Sequence, residues 1–144
     1  DFPGIDRTLA VVAGAGLDLV FAGGPVRLSP ETPPHAFPGD VAVDGRLVDG
    51  PIDDLNLMTR RGRWRHRLER RAITAPTRLP LSGDVVFVVA CGRLRARLAG
   101  AVHDLSEGDA LRLDGGGDCL VEPIADGARG AVLVATFGRL EASL

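Results

Sequence analysis

Asp54-Leu55-Asn56-Leu57-Met58-Thr59-Arg60-Arg61-Gly62 alternates side-chain character residue by residue and ends in a turn. A period of two predicts a strand, with Leu55, Leu57 and Thr59 on one face and Asn56, Met58 and Arg60 on the other. The first face is ordinary packing. The second lines up an amide, a thioether and a guanidinium. That set suits a carboxylate ligand, because arginine offers a fixed fork of donors and asparagine adds a donor and an acceptor together. The same alternation also describes a half-exposed strand with Met58 on its wet side, and taken alone these residues favour that plainer account.

Upstream, Phe2-Pro3-Gly4-Ile5-Asp6 reads as a turn feeding a strand through Arg7-Thr8-Leu9-Ala10-Val11-Val12. Arg7 falls on the face of Leu9 and Val11, so its charge either reaches water at a rim or is paired inside, and position alone favours the rim. Gly14-Ala15-Gly16 turns the chain into a return strand at 17–21, and 26–28 is a further short strand. Residues 30–38 carry four prolines and read as a loop, neither helix nor central strand. Short alternating pieces at 41–43 and 46–48 lie between turns, the second closed by Asp49-Gly50-Pro51.

Downstream, Trp64, His66 and Leu68 alternate with Arg63, Arg65 and Arg67, which again predicts a strand. Arginine dominates from Arg60 to Arg71, and a nucleic-acid groove is one reading. An edge strand guarded by charge is preferred, since Trp64 is the only aromatic in the run and the net charge is -2. Pro76 and Pro80 mark a connector, residues 85–89 form an apolar strand buried on both faces, and Arg93-Leu94-Arg95-Ala96-Arg97-Leu98 turns its arginines outward. Turns at Gly100, at Gly115-Gly116-Gly117-Asp118 and at Asp126-Gly127 separate the remaining strands, the last at 131–137. Strands at this spacing, with no long helix, predict an all-β sandwich or barrel.

The two halves resemble each other. Val11-Val12-Ala13 matches Val88-Val89-Ala90, and the same offset pairs Leu17 with Leu94, Gly23 with Gly100, Leu28 with Leu105 and Ser29 with Ser106. An internal duplication follows, with halves at 1–74 and 75–144, each a small antiparallel roll, packed as one compact unit.

A chain of 144 residues can bury most of its apolar surface without staples. No apolar run approaches the ~20 residues of a membrane span and the sequence does not open on a basic-then-apolar leader, so a cytoplasmic protein is expected. All of the basic residues are arginine, which reads as genome composition and weakens any argument that a particular arginine replaced lysine for its chemistry. Cys91 and Cys119 lack the spacing of a zinc site and are expected reduced and buried. His35, His66 and His103 are scattered, with no pair spaced to hold a metal. Asp53 and Asp54 adjoin and point to opposite faces of a strand, which spoils them as a cooperating acid and base.

Phe2-Pro3-Gly4-Ile5-Asp6-Arg7-Thr8, Phe37-Pro38-Gly39-Asp40, Gly50-Pro51 with the strand at 54–62, and residues 105–110 come in the order and spacing of the HutD/Ves family, and the chain resembles that family along its whole length. Family members carry an upstream Trp-Lys/Arg-Asn-Gly-Gly-Gly stretch that is not found here. The resemblance implies a bicupin, an RmlC-like double jelly roll, with a metal-free pocket and no cofactor. It also implies a role in histidine utilisation: binding a carboxylate intermediate such as urocanate or a formylated or formiminated glutamate, and restraining the pathway. Carried over by motif, Phe2, Asp6, Arg7, Asn56, Met58 and Arg60 become the expected ligand-binding residues. Arg7 and Arg60 would hold the carboxylate, and Asp6 would neutralise one of them when the site is empty. The reading leans away from catalysis, with no catalytic residue assigned; a metal-independent hydrolase or isomerase on the same ligand class is the alternative. The expected partner is a small carboxylate, with no nucleic acid and no membrane, and a homodimer is left open.

Overall fold

The structure is a computed structural model that describes residues 1–125 and 130–141. Glycine, proline and Asp-rich turns interrupt the alternating pattern every few residues, so the described chain folds as short strands and no helix. In order they are β1 (Ile5–Ala13), β2 (Leu17–Phe21), β3 (Gly24–Leu28), β4 (His35–Pro38), β5 (Asp44–Leu47), β6 (Asp53–Arg60) and β7 (Trp64–Ile73). There follow β8 (Thr77–Leu81), β9 (Val85–Cys91), β10 (Leu94–Leu98), β11 (Ala101–Leu105), β12 (Ala110–Asp114), β13 (Gly117–Pro123) and β14 (Gly130–Arg139). No helix among the described residues is long and apolar enough to cross a membrane.

The strands form two compact units, Asp1–His66 with the stretch from Arg139 onward, and Arg67–Gly138. The division falls inside β7 rather than after residue 74. In the first unit, sheet β4-β1-β6 faces sheet β3-β2-β5, and Leu9, Val11 and Phe37 of one pack with Leu19 and Leu28 of the other. In the second, sheet β12-β9-β14-β7 and sheet β11-β10-β13-β8 enclose Ile73, Leu79, Val88, Leu94, Val121 and Val132. Each unit is therefore an antiparallel two-sheet roll, and the chain is an all-β bicupin.

The strand orders repeat: β4-β1-β6 recurs as β12-β9-β14, and β3-β2-β5 as β11-β10-β13. The second unit adds β7 beside β14 and β8 beside β13. In the first, β6 and β5 end their sheets, with no described strand on their outer edges. Their side chains are correspondingly wet, Leu47 on β5 being 57% exposed and Met58 on β6 39%.

Three local expectations are corrected. His35–Pro38, within the proline-rich 30–38, is a strand pairing antiparallel with β1; it lies at a sheet edge, where a missing N–H costs no ladder bond. The connector around Pro80 is likewise the edge strand β8, for the same reason. Residues 41–43 form no strand, and β5 runs instead over Asp44–Leu47. Both cysteines are free, Cys119 buried and Cys91 only half-buried. The turn expected at Asp126-Gly127 lies outside the described residues.

Candidate functional site

β1 is the central strand of its sheet and sets the site through register. Arg7 stands opposite Phe37 on β4 and opposite Met58 on β6; Leu9 stands opposite His35 and Asn56, and Ile5 opposite Arg60. Residues directly opposite in an antiparallel pair share a face. Arg7, Met58, Asn56 and Arg60 therefore lie on one face, together with His35 and Phe37. It is the face that carries the core residues Leu9 and Val11 toward sheet β3-β2-β5.

The Arg7 guanidinium is held between two rings, its carbon 5.1 Å from the centroid of Phe2 and 4.9 Å from that of Phe37. Attraction of a cation to an aromatic face is strongest where water is excluded. Phe37 is braced from behind, edge-on to Phe21 at 5.3 Å and stacked with His35 at 6.0 Å. Phe2 is itself exposed but pinned by its main chain: its N–H donates to the Gly39 carbonyl at 2.8 Å and its carbonyl accepts from the Ile5 N–H at 3.2 Å. Gly39 makes this approach possible, since a Cβ there would stand 2.6 Å from the Phe2 carbonyl oxygen. Arg7 Nε is buried and has no hydrogen-bond partner among the described residues.

Asn56, Met58 and Arg60 are exposed along β6. Asp6 does not join them. Consecutive strand residues point to opposite faces, so Asp6 leaves the Arg7 side and accepts from Arg61 Nε at 2.8 Å. Arg61 also pairs with Asp40 at 2.6 Å. The Gly4 N–H, and after it Arg61, hold the Asp40 carboxyl below the usual carboxylate range. The expectation that Asp6 neutralises Arg7 or Arg60 is thus overturned by the alternation of the strand.

On that other face, Thr8 and Thr59 are buried and bracket His66: Thr8 Oγ1 lies 2.9 Å from Nε2 and Thr59 Oγ1 2.6 Å from Nδ1. A cavity of about 500 Å³ reaches from Arg7 and Phe37 past Asp6, Thr8 and Thr59 to Arg61, Trp64, Arg65 and His66. Burial lowers the His66 pKa from its ordinary 6.5, against the opposing pull of the Asp6 charge. A histidine with a depressed folded pKa contributes stability that is present above its unfolded value and lost as pH falls through the lowered folded one. Urea midpoints measured from about pH 8 down to pH 5 are expected to fall more steeply for the wild type than for His66→Gln. Equal slopes would show that His66 is not linked to folding.

Sequence reading leaves out Phe37, His35 and His66. Phe37 is part of a motif already quoted, and His66 shares its alternation with Trp64, but only the register shows what each one meets. No group of three or more metal-ligating side chains that could hold an ion occurs among the described residues.

A family profile described as HutD matches residues 1–129. The chain belongs to the HutD family. As a HutD-family chain it is 32% identical over 121 residues to an uncharacterised 21.2 kDa protein of Pseudomonas putida, from the region 3′ of hutC. That match covers 83% of this chain but only 63% of the relative, so the chain spans less than two thirds of that protein's length. The solved HutD of Pseudomonas fluorescens superposes with a TM-score of 0.76 at 27% identity, covering 98% of this chain and 72% of the other. A conserved protein of unknown function from Pseudomonas aeruginosa gives 0.80 at 24% identity, with 97% and 75% covered, and speaks for the fold alone.

Proposed function

We propose that the Arg7 face of the first unit is a receptor for a small carboxylate, and that the chain senses or sequesters an acid intermediate of histidine degradation, urocanate or a formylated or formiminated glutamate. The observation that carries this reading is Arg7 Nε, a buried charged donor with no acceptor among the described residues. Leaving such a group unsatisfied costs about 1–3 kcal/mol, which a bound anion would offset with a charge-assisted bond. Phe2 and Phe37 hold the guanidinium in place without using its donors, and Asn56, Met58 and Arg60 share its face. Asn56 supplies orientation and Met58 apolar contact, while exposed Arg60 adds charge at the rim. The place in histidine utilisation rests on family membership and on a relative named for its position beside hutC.

Urocanate is expected to raise the melting temperature in a saturable way, and its uncharged methyl ester is not. Arg7→Met is expected to abolish the shift, and Arg60→Ala to weaken binding by about tenfold, the scale of one partly exposed ionic hydrogen bond. No shift with urocanate, formylglutamate or formiminoglutamate at millimolar concentration would sink the proposal.

A further inference from the structure

The cavity that holds Arg7 runs on to a row of three groups, Thr8, His66 and Thr59, with one threonine hydroxyl on each ring nitrogen of the histidine. Both threonines are more than nine-tenths buried, and neither hydroxyl has a further hydrogen-bond partner among the described residues. The chemistry of the row turns on one proton. A neutral imidazole has one N–H and one bare nitrogen, so one threonine accepts from the ring and the other donates to it. That leaves one O–H and one set of lone pairs free. A protonated imidazole has two N–H groups, and both threonines accept. Two O–H groups are then free, beside a full positive charge, and no heavy atom has to move. A carboxylate only accepts, so it suits the second state and not the first.

Charge decides which state the empty cavity holds. One acid, Asp6, lines it against three arginines, Arg7, Arg61 and Arg65, and Arg139 lies over the Trp64 ring. Arg61 is paired with Asp6 and Asp40, which leaves Arg7 and Arg65 without an acid partner among the described residues. Burial lowers the His66 pKa against the pull of Asp6, so the ring is neutral near pH 7. Like charges in the same cavity act in the same direction. A bound anion reverses that second effect, because an opposite charge nearby favours the charged form.

We propose that Thr8, His66 and Thr59 are further binding residues of the carboxylate receptor, and that the acid enters together with a proton from solvent, which goes to the His66 imidazole. This assignment rests on the carboxylate reading of Arg7 and makes the same site responsive to pH. The empty site holds the ring neutral; the occupied one holds it charged, with both hydroxyls free to donate to the ligand. Binding therefore strengthens as pH falls from the raised pKa of the complex to the lowered pKa of the empty site, and levels off below it.

Benzoate is the probe, because urocanate carries an imidazole of its own that titrates in the same range. Its affinity is expected to rise at least about threefold from about pH 8 to about pH 6. His66→Gln, whose amide can still bridge the two threonines, should bind benzoate equally at both. Nitrogen NMR of the His66 ring near pH 7 should show one protonated and one bare nitrogen in the free protein, and two protonated nitrogens at saturation. Thr59→Val should weaken binding by about tenfold, for one lost hydrogen bond, and Thr59→Ser should restore it. Thr8→Val carries the same test at the other end should the valine at 59 perturb the fold. A ring that stays neutral in the complex, an affinity equal at both pH values, or a pH dependence that survives in His66→Gln would each overturn the proposal and leave the carboxylate reading in place. Failure of benzoate and urocanate alike to bind at any pH would remove both.

Discussion

Leu94→Ala is expected to destabilise the protein by about 2–5 kcal/mol, read as a lower urea midpoint at unchanged slope. Leu94 is 0% exposed at the head of β10 and belongs to the core of the second unit. Its side chain also packs on Gly130, the first residue of β14, where a Cβ would stand 2.8 Å from Leu94 Cδ2. Alanine removes buried methyl groups and leaves a space that surrounding strands, fixed by their ladders on both sides, cannot close. Leu94→Met keeps the volume and should cost less than about 1.5 kcal/mol. Leu47→Ala, at 57% exposure, serves as the surface comparison and should stay within about 0.5 kcal/mol. A Leu94→Ala midpoint no lower than that of Leu47→Ala would mean that the core of the second unit is wrongly drawn.

Gly116→Ala is expected to cost about 2–4 kcal/mol, well beyond its neighbour Gly115→Ala at about 1–2. The two glycines sit in one hairpin between β12 and β13 with nearly the same left-handed backbone, φ +81 at Gly115 and +80 at Gly116. They differ in room. A Cβ on Gly115 meets nothing within 4 Å, whereas one on Gly116 would stand 2.4 Å from the Leu81 carbonyl oxygen and 3.0 Å from Ser82 Cα. Those are backbone atoms and cannot swing aside as a side chain could. Comparing the two variants by urea unfolding subtracts the left-handed backbone penalty and leaves the clash. Equal losses would show that β8 does not approach the hairpin this closely.

The strand around Asn56 was legible because alternation needs no partner to be seen, and its buried positions, Leu57 and Thr59, are those that the pattern assigns inward. The repeat was legible for a similar reason: glycine turns and aliphatic strands recur at a fixed spacing, and β10 and β11 lie at the same offset from β2 and β3. β4 and β8 were hidden by their prolines, which forbid a central strand but not an edge one. The partner of Asp6, Arg61 rather than Arg7 or Arg60, was not legible because a motif groups neighbours in sequence, while a strand sends neighbours to opposite faces. The meeting of Thr8, Thr59 and His66 was beyond reach, since it depends on a register joining residues 58 positions apart.

The unequal strand counts of the two units set where the candidate receptor is firm and where it yields. Arg7 sits on the central strand β1, held by ladders on both sides, whereas Asn56 and Met58 ride on β6, whose far side lacks a described hydrogen-bonded neighbour. Amide protons along that margin should trade with deuterium sooner than those of β14. Recognition of the acid group would then be stiff, and accommodation of the rest of the molecule compliant, letting one anchor serve a series of related acids.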